Sequence, residues 1–106
     1  MKQYRGIRTG DGTTVTVNGQ PLNPRHDLRN HSPNGFEWGY SGSGPAQLAL
    51  AILADHLGDN ARAQALYQDF KSAVVAGFQG DEWRLNNQQV ETALSMICRP
   101  PVPHSM

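Results

Sequence analysis

Two stretches of this chain gather residue types that do chemistry. The first is Arg25-His26-Asp27-Leu28-Arg29-Asn30-His31, which holds two guanidiniums, two imidazoles and one carboxylate in seven residues. Guanidinium offers paired donors to phosphate or carboxylate. Imidazole changes charge near neutrality, and Asp27 with His31 has the makings of an oriented general base. The plainer reading pairs Asp27 with Arg25 or Arg29 and makes the run a fixed surface loop. The second stretch is Gly39-Tyr40-Ser41-Gly42-Ser43-Gly44-Pro45-Ala46, a glycine-rich turn that opens a helix. Helix-start N–H groups are unsatisfied and carry partial positive charge, and glycine lets an anion come close to them. Ser41 and Ser43 add hydroxyl donors. The plainer reading is a tight strand-to-helix connection capped by Ser43.

Together the two stretches define an expected ligand site. The loop would fold over the helix start and present Arg25, Arg29, His31, Ser41, Ser43 and Gly44 to an anion such as phosphate. The turn lacks the Lys-Ser/Thr pair of a phosphate-binding NTPase loop. It also lacks the glycine spacing of a dinucleotide fingerprint, and no βαβ pattern surrounds it. His26, Asp27 and His31 are the only dense metal donors and do not have zinc spacing. No catalytic residue, metal or cofactor is therefore assigned. Asp55 and His56 fall late in an apolar helix, on its wet edge. Glu37 is either a solvated strand residue or a partner for the arginine loop. Cys98 reads as a packed, inert thiol, since no neighbouring base activates it.

These stretches need elements to hold them. Residues 4–8 alternate, residues 13–17 are β-branched throughout, and Thr9-Gly10-Asp11-Gly12 between them reads as a hairpin turn. Asn18-Gly19 makes a second turn, and Pro21 and Pro24 end the strand. Phe36-Glu37-Trp38-Gly39-Tyr40 alternates aromatic and polar residues, which predicts a third strand with its three rings on one face. Pro45 suits a first helical position. Residues 46–57 are apolar on nearly all sides, the mark of a helix buried on nearly all sides. Gly58 closes that helix, and Asp59 or Asn60 caps a second one. The second carries Ala63, Leu66, Tyr67, Phe70, Val74 and Phe78 at helical spacing and ends at Gly77 and Gly80. Trp83-Arg84-Leu85 suggests a fourth, edge strand. Asn86 or Asn87 caps a last helix with Val90, Ala93, Leu94 and Ile97 inward. The expected fold is α+β: a small three- to four-stranded antiparallel sheet packed against three helices. One domain covers residues 1–98, and a proline-rich tail follows over residues 99–106.

Composition narrows the classes of function. The 106 residues contain nine basic and nine acidic side chains, and charged residues are 17 %, below the usual quarter. A balanced charge argues against electrostatic capture of nucleic acid. No run approaches the roughly 18–20 apolar residues of a membrane span. The opening Met1-Lys2-Gln3-Tyr4-Arg5-Gly6 lacks the apolar core of a secretion signal, and one cysteine suits a reducing compartment. The expected location is the cytoplasm.

The run Asp27-Leu28-Arg29-Asn30-His31-Ser32-Pro33-Asn34-Gly35-Phe36-Glu37-Trp38-Gly39-Tyr40, followed by Ser43-Gly44-Pro45-Ala46-Gln47-Leu48-Ala49-Leu50-Ala51-Ile52-Leu53, resembles the core of an uncharacterised family. Its members are small proteins of bacteria, phages and mobile elements, known only as a domain of unknown function. The resemblance extends over about residues 4–95. It implies no activity, but it raises the weight of a mobile-element accessory role. The expected function is a small non-enzymatic binding protein that blocks a host defence component or sequesters an anionic, nucleotide-like ligand. Its partner is then a host protein or a small anion. The alternatives are a regulatory or structural module without a small ligand, and a small enzyme acting on a phosphorylated substrate.

Overall fold

The computed structural model describes residues 2–33 and 35–97. The fold is α+β, with a four-stranded antiparallel sheet and three helices. Strands β1 (Gln3–Thr9) and β2 (Gly12–Val17) form the expected hairpin, with Thr9 opposite Gly12. Asn18 and Gly19 both take positive φ, at 50° and 82°. That is the two-residue turn whose twist matches paired strands. It returns the chain into β3 (Gln20–Pro21), and Pro21 ends it at the sheet edge. Strand β4 (Glu82–Asn86) pairs with the other side of β1, so the order is β3-β2-β1-β4.

Helix α1 (Ser43–Leu57) is the centre of the molecule, and Leu48 through Leu53 are closed to solvent. It shares one core with Tyr4, Val15 and Leu85 of the sheet, with Trp38, and with residues of the other two helices. Gly58 ends it in the left-handed conformation, and Asp59 then caps α2 (Asn60–Ala73) by accepting from the Arg62 N–H at 3.1 Å. Ala63, Tyr67 and Phe70 are the buried face of α2. Asn86 and Gln89 cap α3 (Asn87–Ile97) reciprocally, each side chain accepting the other's backbone N–H at 2.8 and 2.9 Å. Val90 and Leu94 point inward, with Ala93 and Ile97 partly covered.

Three expectations are corrected. Residues 36–40 join no sheet, and the chain bends at 39–40. The open side of β1 is occupied by β4, and the segment's backbone is held elsewhere. Thr13 Oγ1 donates to the Phe36 carbonyl at 2.6 Å, and the Gly39 N–H donates to the Val75 carbonyl at 3.1 Å. Gly39 turns the chain with φ of 88°, so Phe36 and Trp38 are buried while Tyr40 faces out, 51 % exposed. Helix α1 starts at Ser43, and its cap is Gly42, with no side chain accepting the first N–H groups. Ser43 is therefore not the cap, and Pro45 sits within the first turn, where a missing N–H is harmless. Finally, α2 stops at Ala73. Val74 leaves helical geometry, and Val75–Gly77 form a 3-10 turn that buries Val75.

Gly6 has a packing reason. A Cβ there would lie 2.2 Å from Trp83 Nε1, because the indole lies across the bare backbone of β1. Gly6→Ala is expected to destabilise the domain by about 1–3 kcal/mol through overpacking. Leu50→Ala and Leu53→Ala are expected to cost about 2–5 kcal/mol each through the cavities they leave. Thermal or urea unfolding of the three variants measures both effects. Melting within a few degrees of the parent for both leucine variants would disprove the buried central helix.

Candidate functional site

The loop that carries the arginines is organised by one side chain of the helix beneath it. Gln47 lies on the second turn of α1 and is completely buried. A primary amide in that setting must fill its bonding positions. Its Oε1 accepts from the backbone N–H groups of His31 (2.8 Å) and Ser32 (3.2 Å). Its Nε2 donates to the carbonyls of Pro24 (2.6 Å) and Arg29 (3.0 Å). All four contacts are to loop backbone, so the loop is gripped through its main chain. This explains how a run with almost no apolar side chains lies fixed against a dry helix.

Side chains complete the loop. Arg25 takes positive φ, 59°, a conformation that costs free energy for a residue with a Cβ. Asn23 Oδ1 receives its N–H at 2.9 Å, and its carbonyl receives the N–H groups of Leu28 and Arg29. The Arg25 guanidinium meets both oxygens of Asp27, each at 3.0 Å. That pairing holds the Asp27 carboxyl below the usual carboxylate range and raises Arg25. His26 Nε2 lies 2.9 Å from the Ser32 carbonyl. His31 Nε2 lies 2.7 Å from the hydroxyl of Tyr67, which is buried on α2.

The expected site residues divide accordingly. Arg25 is paired with Asp27, and His31 with Tyr67. The Arg29 carbonyl is held by Gln47, while its side chain is exposed and has no ion pair among the described residues. Ser41 and Ser43 are exposed at the start of α1. Gly44 is buried, and a Cβ there would fall 2.6 Å from Glu37 Cβ, so the 36–38 segment crosses the helix at this point. Glu37 in turn meets Arg8, whose Nη2 is 2.7 Å from Oε1. His56 bonds the Glu91 carboxylate on α3.

Cavities open at two places along the later turns of α1. One, of about 250 Å³, is walled by Leu57, Arg62, Glu91, Leu94 and Ser95. The other, of about 280 Å³, opens where the loop leaves β3 and crosses the second half of α1. Leu22, Ala51 and Ala54 give it apolar walls, and Asn23, Arg25 and Asp55 give it polar ones. Asp55 is anchored there by Lys2 Nζ at 3.0 Å and by the Tyr4 hydroxyl at 2.7 Å. Burial first, and then the hydrogen bond to Asp55, push the Tyr4 phenol far above its ordinary value. The cavity thus joins Arg25 to Asp55, which the sequence placed only on a helix edge, and to Asn23, which the sequence reading passed over. The Asn23-Pro24 pair before a polar run was a turn signal; the thirty-residue gap to Asp55 left no local signal.

The site and fold define a small α+β domain in which a polar loop is clasped onto a buried helix beside a mixed-polarity cavity. The model of the family of unknown function DUF6166 matches residues 4–96, and the chain belongs to that family. No curated protein and no solved structure matches the chain. Among the described residues, no helix is long and apolar enough to cross a membrane, and no three His, Cys, Asp or Glu side chains are grouped to hold a metal ion. Cys98 and the proline-rich tail lie outside the described residues.

Gln47→Leu leaves two N–H groups and two carbonyls without their partner. An orphaned buried group costs about 1–3 kcal/mol, and the loop regains water only by lifting off the helix. The expected result is a loss of about 2–5 kcal/mol together with new proteolytic cleavage within residues 24–32, read by mass spectrometry. A second expectation concerns alkaline pH. The unfolded Tyr4 phenol loses its proton near pH 10, while the folded one keeps it. The unfolded state then binds fewer protons, so this contribution is complete below about pH 10 and is lost above it. Stability measured from pH 8 to 11 should fall less steeply in Tyr4→Phe than in the parent.

Proposed function

We propose that this domain is a small binding protein whose ligand seats in the cavity between Asn23, Arg25 and Asp55. The observation that carries this reading is the cavity itself, which Arg25 and Asp55 line together with apolar Leu22, Ala51 and Ala54. A ligand with an anionic group and a donor suits it, the anion at Arg25 and the donor at Asp55. A nucleotide-like molecule has both. Arg29 adds charge on the same turn, since its N–H reaches the Arg25 carbonyl at 3.3 Å. Gly44 is covered by Glu37 and His31 is engaged by Tyr67, which favours a contact along the second half of the helix over one at its start.

The resemblance to small proteins of bacteria, phages and mobile elements supports an accessory role in the cytoplasm. There the domain would sequester a nucleotide-like signal or block a host defence component, acting neither on membranes nor on nucleic acid. A host protein is the second reading, and the half-exposed Tyr40 beside exposed Ser41 and Ser43 favours it.

Native mass spectrometry of the purified chain, followed by thermal shift with mononucleotides and inorganic phosphate, tests the proposal. A nucleotide is expected to raise the melting temperature, and Arg25→Lys and Asp55→Asn are expected to weaken binding about tenfold or more. No shift at millimolar nucleotide or phosphate, with only a host protein retained from cells, would replace the ligand reading by the partner reading.

A further inference from the structure

Strand β4 is an edge strand, and its outer side is two residues long. The Arg8 N–H bonds the Asp81 carbonyl, and the Asn87 N–H bonds the Lys2 carbonyl. In an antiparallel ladder these contacts turn the backbone of residues 81, 83, 85 and 87 toward β1, and that of 82, 84 and 86 away from it. The Asn86 N–H is already taken by Gln89 Oε1. Among the described residues, the N–H and C=O groups of Glu82 and Arg84 therefore remain as the open edge.

The side chains at those two positions carry opposite charges. Both are exposed on the face away from the helices, while Trp83 and Leu85 point into the core. Within one chain the charges are unevenly matched. Glu82 is held by Arg5 at 2.8 Å, and Arg84 reaches the same carboxylate only at 3.6 Å. A charged edge usually guards against pairing with another chain. Here the pattern is self-complementary instead. In an antiparallel pairing of β4 with β4 of a second copy, only residues whose backbones face outward can bond each other. Centred on Glu82 or on Arg84, that pairing sets like charges face to face. Centred on Trp83, it sets Glu82 against Arg84 in both directions. That register also pairs all four open backbone groups of each chain.

We propose that β4 is the contact strand of a two-fold dimer of this chain, in the register with Trp83 on the axis. The two four-stranded sheets join into one of eight strands, and each Arg84 comes opposite Glu82 of the other copy as a second cation beside that copy's Arg5. The contact is isologous, so it closes at two copies. Its short edge makes the dimer reversible. The proposal is independent of the ligand reading, because it uses neither the cavity nor the arginine loop.

Sedimentation equilibrium of the full chain from micromolar to millimolar concentration tests it. Mass is expected to rise toward that of two chains. Arg84→Glu places like charges opposite each other and should raise the dimer dissociation constant about tenfold or more, with the melting temperature of the dilute protein unchanged. The double exchange Glu82→Arg with Arg84→Glu restores complementarity and should restore the dimer. Arg84→Pro removes an outward N–H that the single chain does not use, and should also yield monomer. A single-chain mass at every concentration overturns the proposal. So does a dimer that Arg84→Glu and Arg84→Pro leave as tight as the parent.

Discussion

A buried primary amide has four bonding positions and no water to fill them, and in this protein Gln47 fills them all from one loop. The rest of the structure depends on that arrangement. Without the loop, Gln47 would be a polar defect in the most apolar helix of the chain. Without Gln47, residues 24–32 would be held mainly by the partly covered Leu28 and by the contact of His31 with Tyr67. The interaction is two-sided and local to one helical turn. It sets where the loop leaves β3, and so where the cavity beside Asn23, Arg25 and Asp55 opens.

A second cluster is organised by Arg8. Its guanidinium meets Glu37 and Asp81, donates to the Gly80 carbonyl at 3.2 Å, and stands 4.7 Å from the Trp38 ring. Trp38 Nε1 donates to that same Gly80 carbonyl. Trp83 meets Trp38 edge-on and stacks on Phe78. One charge and three aromatic rings thus tie β1, the 36–38 segment and the entry to β4 together. Because that segment gets its bonds from side chains and a 3-10 turn, it needs no place in the sheet.

This accounts for what was legible beforehand and what was not. The hairpin, the central helix and the edge strand at residues 82–86 follow from turn chemistry and periodicity, which act over a few residues. Alternation predicts that Phe36 and Trp38 share one face with Glu37 on the other, and Phe36 and Trp38 are indeed buried while Glu37 is partly exposed. That pattern was wrongly extended to Tyr40, because Gly39 reverses the chain and periodicity carries no signal for that. The two polar stretches were legible as candidates, but their partners were distant. Tyr67 lies 36 residues from His31, Gln47 lies 15 to 23 residues from the loop groups it binds, and Glu37 meets Gly44 only through packing. Gln47 itself stood in plain view as the one polar residue in an apolar stretch.

The long run from Asp27 to Leu53 can now be divided by task. Asp27 pairs Arg25, Ser32 Oγ donates to the Gly35 carbonyl, and Phe36, Trp38 and the helix build the core. Gly35 and Gly39 take positive φ, and Gly44 admits a crossing chain. Folding thus accounts for most of the run. It leaves Arg29, Asn30, Tyr40, Ser41 and Ser43, all exposed and none holding a partner through its side chain among the described residues. Folding also leaves the strained backbone of Arg25, which a glycine or asparagine would tolerate at lower cost. The loop offsets that strain with the bonds to Asn23, Leu28, Arg29 and Asp27, and under the proposed function a ligand in the adjoining cavity would add a further reason for arginine there.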